Sequence, residues 1–197
     1  MPVILVGDID FDRTIALVDT YFGKWEKGYV PEFTFKPEAP IAAPVSAEVF
    51  GPEAEWVDLA WRFGGAHSTD PLMLQLIQGL LSNGSAGLID LDLLQAQKVL
   101  SAGAWSMAAA DYSVLQLNGE PKEGQTLNQV RDLLLGEITA LRNGTFDDWL
   151  IEAVVNDFKQ RRMRSWGENN ARSAGALTDA FILKKRWSEE VDMYERM

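Results

Sequence analysis

The sequence predicts an α+β domain: an antiparallel sheet packed against several helices, preceded by a strand-helix unit and a proline-rich linker. Strand-like runs come first and helical runs last, without the regular alternation that builds a parallel sheet. Four prolines, Pro31, Pro37, Pro40 and Pro44, withhold backbone donors and favour extended chain, so the boundary is placed there. The expected units are a strand-helix piece over 1–30 that ends a preceding domain, a linker over 31–44, and the α+β domain over 45–197, truncated at its C-terminal end.

Val3 to Val6 reads as a buried strand ending at Gly7, and Asp10 is placed to cap a helix with Ile15, Val18 and Phe22 inward. Gly23 and Gly28 break that helix. Trp56 to Phe63 alternates, with Val57, Leu59, Trp61 and Phe63 on one face and Asp58 and Arg62 on the other, as in a strand buried on one side. Asp70-Pro71 supplies an N-cap and a first-turn proline for a helix carrying Leu72, Met73, Leu76, Ile77, Leu80 and Leu81, which Asn83-Gly84 stops. A short helix through Leu88, Leu91 and Leu94 follows. Val99 to Met107 and Tyr112 to Leu117, joined at Ala109-Ala110-Asp111, predict an antiparallel hairpin. Three helices close the chain: Leu127 to Leu141 with Gly144 as stop, Leu150 to Met163 capped by Asp147, and one from Asn169 or Asn170 through Phe181.

Composition excludes several functions. A net charge of -11 repels a phosphate backbone or an anionic membrane, and no apolar run approaches the roughly 18 residues of a membrane span. The basic cluster Lys159, Arg161, Arg162 and Arg164 suits the C-terminal end of a helix. One histidine and no cysteine remove most of the side chains from which zinc sites and activated nucleophiles are built. His67 lies in the loop Gly64-Gly65-Ala66-His67-Ser68-Thr69 and reads as a solvated loop residue. Asp8, Asp10 and Asp12 alternate, but the glycine and distal glutamate of a calcium loop are not at the required offsets. Asp90 and Asp92 point to different faces of a helix, Glu152 and Asp157 have no helical pairing, and the excess of carboxylates reads as a solvated surface. Asn83-Gly84-Ser85 and Asn143-Gly144-Thr145 match glycosylation sequons but read as turns. Ser85 misses the Gly-x-Ser-x-Gly pattern, because Asn83 stands two residues before it.

The order of these pieces resembles peptidases of the pitrilysin/insulinase family, M16. The residues concerned are Val3-Ile4-Leu5-Val6-Gly7-Asp8-Ile9-Asp10, Tyr21-Phe22-Gly23-Lys24-Trp25, the proline-rich connector, Val57-Asp58-Leu59-Ala60-Trp61, Leu80-Leu81-Ser82-Asn83-Gly84, Gly119-Glu120-Pro121, Leu141-Arg142-Asn143-Gly144-Thr145-Phe146, and Asn170-Ala171-Arg172 with Trp187. The resemblance is to the noncatalytic second domain. It implies a wall of a chamber that holds an extended peptide, with zinc bound elsewhere in the parent by an inverted His-x-x-Glu-His motif that this chain lacks. It implies no catalytic or metal residue here, and a peptide-facing loop at Gly84, Ser85 and Gly87, where small residues let backbone donors approach an extended ligand. Gln95-Ala96-Gln97-Lys98 and Ser101-Ala102-Gly103-Ala104-Trp105 depart from the Arg-Glu helix and Gly-Leu-Ala-Tyr stretch of active relatives. The implied partners are a peptide substrate and other domains of the same family. The alternatives are a scaffold domain of an inactive family member and an unrelated α+β binding module. The N-terminus reads as internal, so no targeting signal is visible and the compartment is not fixed by the sequence; a bacterial periplasm or cytoplasm is the expectation. The expected truncation leaves a sheet edge that Val3 to Val6 would fill, within one chain or between two in a strand-mediated homodimer.

Overall fold

The computed structural model describes residues 2–168 and 170–186. Its centre is a three-stranded antiparallel sheet in the order β1-β3-β2, formed by β1 (Val57–Gly64), β2 (Ser101–Ala108) and β3 (Tyr112–Glu120). The predicted hairpin is present: Ala109 N–H donates to Tyr112 O at 2.9 Å, so β2 and β3 meet across Ala110 and Asp111. Pairing of Leu59 with Leu117 and Trp61 with Leu115 sends the apolar set of both strands to one face.

Two helices cover that face, α2 (Asp70–Leu81) and α3 (Leu127–Asn143). Leu74, Leu81, Leu115, Leu117, Val130 and Leu134 form the core with Leu88, Ile89, Leu93 and Val99 from the connection between α2 and β2. Each such side chain contributes about 1.5–3 kcal/mol on burial, against the entropy of ordering it. The layers approach closely. A Cβ at Gly119 would stand 2.6 Å from Val130 Cγ1, and one at Gly79 would stand 2.6 Å from Val154 Cγ1 of α4 (Trp149–Glu168). The last of the described helices, α5 (Asn170–Ile182), packs on α4.

Local chemistry fixes the element ends. Thr126 and Gln129 form a reciprocal capping box at the start of α3, a Ser/Thr-x-x-Gln signal that the sequence reading passed over. Gly144 closes α3 in the left-handed conformation, with φ 66°. Asp70 does not cap α2 as expected. It is the first helical residue, and its Oδ2 accepts from Gly64 N–H at 2.7 Å, tying the end of β1 to the start of the helix. Asp147 accepts from Trp149 Nε1 at 3.1 Å.

The N-terminal region departs most from expectation. Asp10 does cap helix α1 (Phe11–Phe22), accepting from Arg13 N–H at 2.8 Å. Val3 to Val6, however, pairs with no strand among the described residues, and Val3 and Leu5 are exposed, so the expected buried strand is not formed there. Four apolar residues have strand propensity, but a strand exists only where a neighbour offers a ladder. Likewise α1 buries none of its residues, and Ile15 and Phe22 of its expected inner stripe are exposed. Residues 24–56 form neither helix nor strand. They are nonetheless held: Arg62 donates to the Glu38 carboxylate and to Ala39 O, Glu38 N–H donates to the Tyr112 hydroxyl at 3.0 Å, and the Arg62 guanidinium lies 4.8 Å from the Tyr112 ring centre. Trp187 and Asn169 lie outside the described residues.

Candidate functional site

The loop leaving α2 is built around one buried carboxylate. Asn83-Gly84 reverses the chain with Gly84 at φ 87°, and Gly87 then passes so close to the end of α2 that a Cβ would stand 2.6 Å from Leu81 O. The chain re-enters a helix at Leu88, and the expected short α-helix becomes a π-helical turn over Asp90–Gln95. Asp90 is 4% exposed. Its Oδ2 accepts from the N–H groups of Asn83, Gly84 and Gly87 at 2.8, 2.8 and 3.1 Å, and its Oδ1 accepts from Ser82 Oγ at 3.2 Å. The expectation that the acidic residues are all solvated therefore fails here, because four donors replace the water that Asp90 gives up. Asp92, two residues on, is exposed, so the two carboxylates do point apart.

The remaining donors of the loop are also engaged. Asn83 Oδ1 accepts from Ser85 N–H (3.1 Å), Ala86 N–H (2.9 Å) and Ser85 Oγ (3.2 Å), while Gln95 Nε2 donates to Ser85 O at 2.9 Å. Of the three residues singled out from sequence, Gly84 and Ser85 are exposed and Gly87 is buried beneath them. Their N–H groups face inward, so what the rim offers a ligand is carbonyl oxygen and small, closely approachable surface. Ser85 hydrogen-bonds to an amide and not to a base, which leaves its hydroxyl without activation.

Among the described residues, the other titratable groups lie apart from one another. His67 is exposed on the β1–α2 loop, and among the described residues no three of His, Cys, Asp and Glu are grouped to hold a metal ion. Asp10 is occupied as a helix cap, and Asp157 pairs with Arg161 at 2.8 Å. Glu137 on α3 is 8% exposed, and its carboxyl titrates above the ordinary value of 4.5. Burial is the main cause and the charge of Asp92 adds to it, while Lys98 opposes both. Sequence reading missed Glu137; its place on the inward face of α3, one residue before Ile138, was the available signal.

A cavity of about 300 Å³ lies beside β2, between α2 and α4. Gln75 and Gln78 of α2, Ser106 and Met107 of β2, and Phe158 and Arg161 of α4 line it. Gln78 Oε1 accepts from Ser106 N–H at 2.9 Å and from Ser106 Oγ at 2.8 Å. The described lining offers amide, hydroxyl and guanidinium groups, which suit binding and orienting a ligand.

Comparison with known proteins agrees with this geometry. The model of the family described as peptidase M16 inactive domain matches residues 1–158. A Helicobacter pylori protease has a similar structure, with TM-score 0.84 and 16% identity, covering 96% of this chain and 46% of that one. The periplasmic protease PqqL from Escherichia coli superimposes with TM-score 0.61 at 13% identity, over 96% of this chain and 22% of that one. The inactive peptidase domain of a protein from Bordetella parapertussis gives TM-score 0.57 at 13% identity, over 66% of this chain and 70% of that one. At these identities the structures establish the fold alone, and the chain spans less than half of the Helicobacter protease. No curated protein sequence matches significantly.

Proposed function

Since the chain belongs to the peptidase M16 family as its inactive domain, we propose that it forms a noncatalytic wall of the chamber in which a zinc metallopeptidase of this family encloses an extended peptide. Hydrolysis then falls to a His-x-x-Glu-His site carried by another domain. The observation that supports this reading is the match to the inactive-domain model over residues 1–158. The described residues do not fit a zinc ion: the single imidazole, His67, is exposed and has no grouped carboxylates. Zinc therefore belongs, on this reading, to the partner domain.

The exposed rim at Gly84 and Ser85 faces the peptide, with buried Gly87 as the spacer that lets the rim sit low on α2. Residues 1–30 complete the preceding domain, 31–44 link the two, and 45–197 form the wall. The apolar residues that α1 leaves exposed, among them Phe11, Ile15, Leu17 and Phe22, support this division, since such a surface calls for a covering partner. Metal analysis and a quenched-fluorescence peptide assay test the proposal, on this chain alone and together with the His-x-x-Glu-His domain encoded with it. Alone, the chain is expected to bind no stoichiometric zinc and cleave nothing; together, cleavage is expected and is abolished by chelation. Zinc-dependent cleavage by the chain alone overturns the proposal, and a zinc-free, inactive combination replaces it with a scaffold role.

A further inference from the structure

We infer that Asn143 is a site of spontaneous deamidation, and that Asp90 shields the chemically matched Asn83 from the same reaction. The chain holds three Asn-Gly pairs, at 83–84, 118–119 and 143–144. In such a pair the glycine nitrogen can attack the asparagine side-chain carbonyl, since no Cβ on the glycine obstructs the closing ring. A solvent base takes the proton from the glycine N–H, the N–Cγ bond forms, and the Cγ–Nδ2 bond breaks as ammonia leaves with a proton from water. Water then opens the succinimide. Breaking the N–Cγ bond gives aspartate, and breaking the bond from that nitrogen to the asparagine main-chain carbonyl carbon gives isoaspartate. The reaction thus needs a releasable N–H, a side chain free to swing onto it, and room for the ring.

Asn118-Gly119 has no room. It lies in β3, which is paired on both sides, and Gly119 is buried with Val130 Cγ1 only 2.6 Å from where a Cβ would stand. The other two pairs form a controlled comparison. Asn83-Gly84-Ser85 and Asn143-Gly144-Thr145 stand at the ends of α2 and α3; both glycines are exposed, with φ 87° and 66°, and a Cβ on either would meet no atom within 4 Å. Space is therefore equal, but hydrogen bonding is not.

Gly84 N–H donates to Asp90 Oδ2 at 2.8 Å, so taking its proton would set an amide anion against a buried carboxylate. The Asn83 side chain is held as well: Oδ1 accepts from Ser85 N–H, Ala86 N–H and Ser85 Oγ, and Nδ2 donates to Gly79 O at 3.0 Å. At the other pair, Gly144 N–H donates to neutral carbonyl oxygens in the last turn of α3, with Leu141 O at 3.1 Å, and helix ends fray. Asn143 itself is exposed. Reaction there puts a carboxylate at the negative end of the helix dipole, and isoaspartate adds a methylene to the main chain that leads into α4.

The test ages the 197-residue chain at mildly alkaline pH and maps aspartate and isoaspartate by tandem mass spectrometry. Protection follows the free energy of local opening, so in native buffer Asn143 is expected to convert about tenfold faster than Asn83 or more, with Asn118 intact. In concentrated urea the rates at Asn83 and Asn143 are expected to converge, because their tripeptides differ only in serine against threonine. Asp90→Ala is expected to raise the Asn83 rate about tenfold or more while leaving Asn143 unchanged. A rise at both sites marks that variant as unfolded, and the urea comparison, which needs no variant, then decides alone. Equal native rates, a native ratio that survives in urea, or an Asn83 rate unmoved by Asp90→Ala overturns the inference.

Discussion

Asp90→Ala tests whether the loop after α2 is held from within. The substitution removes the acceptor for three backbone N–H groups and one hydroxyl at a position 4% exposed. A buried donor left without a partner costs about 1–3 kcal/mol, and bonds to a charged acceptor are the stronger kind. Gly84 is exposed and can turn its N–H to water, and Ser82 can reorient its hydroxyl, so the penalty concentrates on Gly87 and Asn83. The expected loss is about 3–5 kcal/mol. Asp90→Asn retains a neutral oxygen at the Oδ2 position and loses only the charge assistance, for about 1–2 kcal/mol. Urea denaturation at 25 °C followed by tryptophan fluorescence measures both; at a slope of about 2 kcal/mol per molar, the alanine variant shifts the midpoint by about 1.5–2.5 M. Amide exchange at Gly87 should accelerate in step. An alanine variant within about 1 kcal/mol of the parent refutes internal anchoring, and equal losses for Ala and Asn refute the bond-by-bond reasoning.

Gly87→Ala should destabilise by about 2–4 kcal/mol because its Cβ meets the backbone at Leu81, whereas Gly84→Ala, in open space but at φ 87°, should cost about 1 kcal/mol; thermal melts of the pair check the contrast. Glu137 keeps its proton to higher pH in the native state than in the unfolded chain. Its ionisation therefore costs nothing below the ordinary value of 4.5, and the cost grows as pH rises through the raised native value. Glu137→Gln should accordingly be more stable than the parent at pH 7 and equal to it well below 4.5, as read from denaturation midpoints across pH. Arg62→Ala should leave global stability within about 1 kcal/mol, as for other exposed ion pairs, yet speed proteolytic cleavage around Glu38 and Ala39, seen by mass spectrometry of limited digests.

Where the sequence and the structure agree, the signal was periodic and the partner lay nearby. The alternation of Val57, Leu59 and Trp61, the hairpin across Ala110-Asp111, and the helices at Asp70 and Leu127 each pack an apolar face within this chain, although in the first of these helices the expected Met73 is exposed and Leu74, outside the expected stripe, is among the most deeply buried. The same periodicity in α1 and the same apolar run in Val3 to Val6 were equally visible, but pattern reports a capacity to be buried and not the presence of something to bury against. The α2 loop shows a different limit. Gly84, Ser85 and Gly87 were legible as a tight turn, but the inward direction of their N–H groups depends on Asp90, which sequence spacing placed at the surface. A buried carboxylate is recognisable only once its donors are known. The π-helical turn carried no readable signal, since one residue added to a short helix leaves its apolar spacing almost unchanged.

The staple at Arg62 and Tyr112 sets the reach of everything ahead of it. Without it, α1 would swing from Val57 on the whole of residues 24–56; with Glu38 fixed to the sheet, the free leash is residues 24–37. Fully stretched, that leash spans at most roughly 50 Å. Shortening a tether raises the local concentration of what it carries. A helix that finds no home on its own sheet is thereby kept within a bounded volume around the outer face of β1 and β3, and the cost in entropy of seating it on a neighbouring surface is partly met before any encounter.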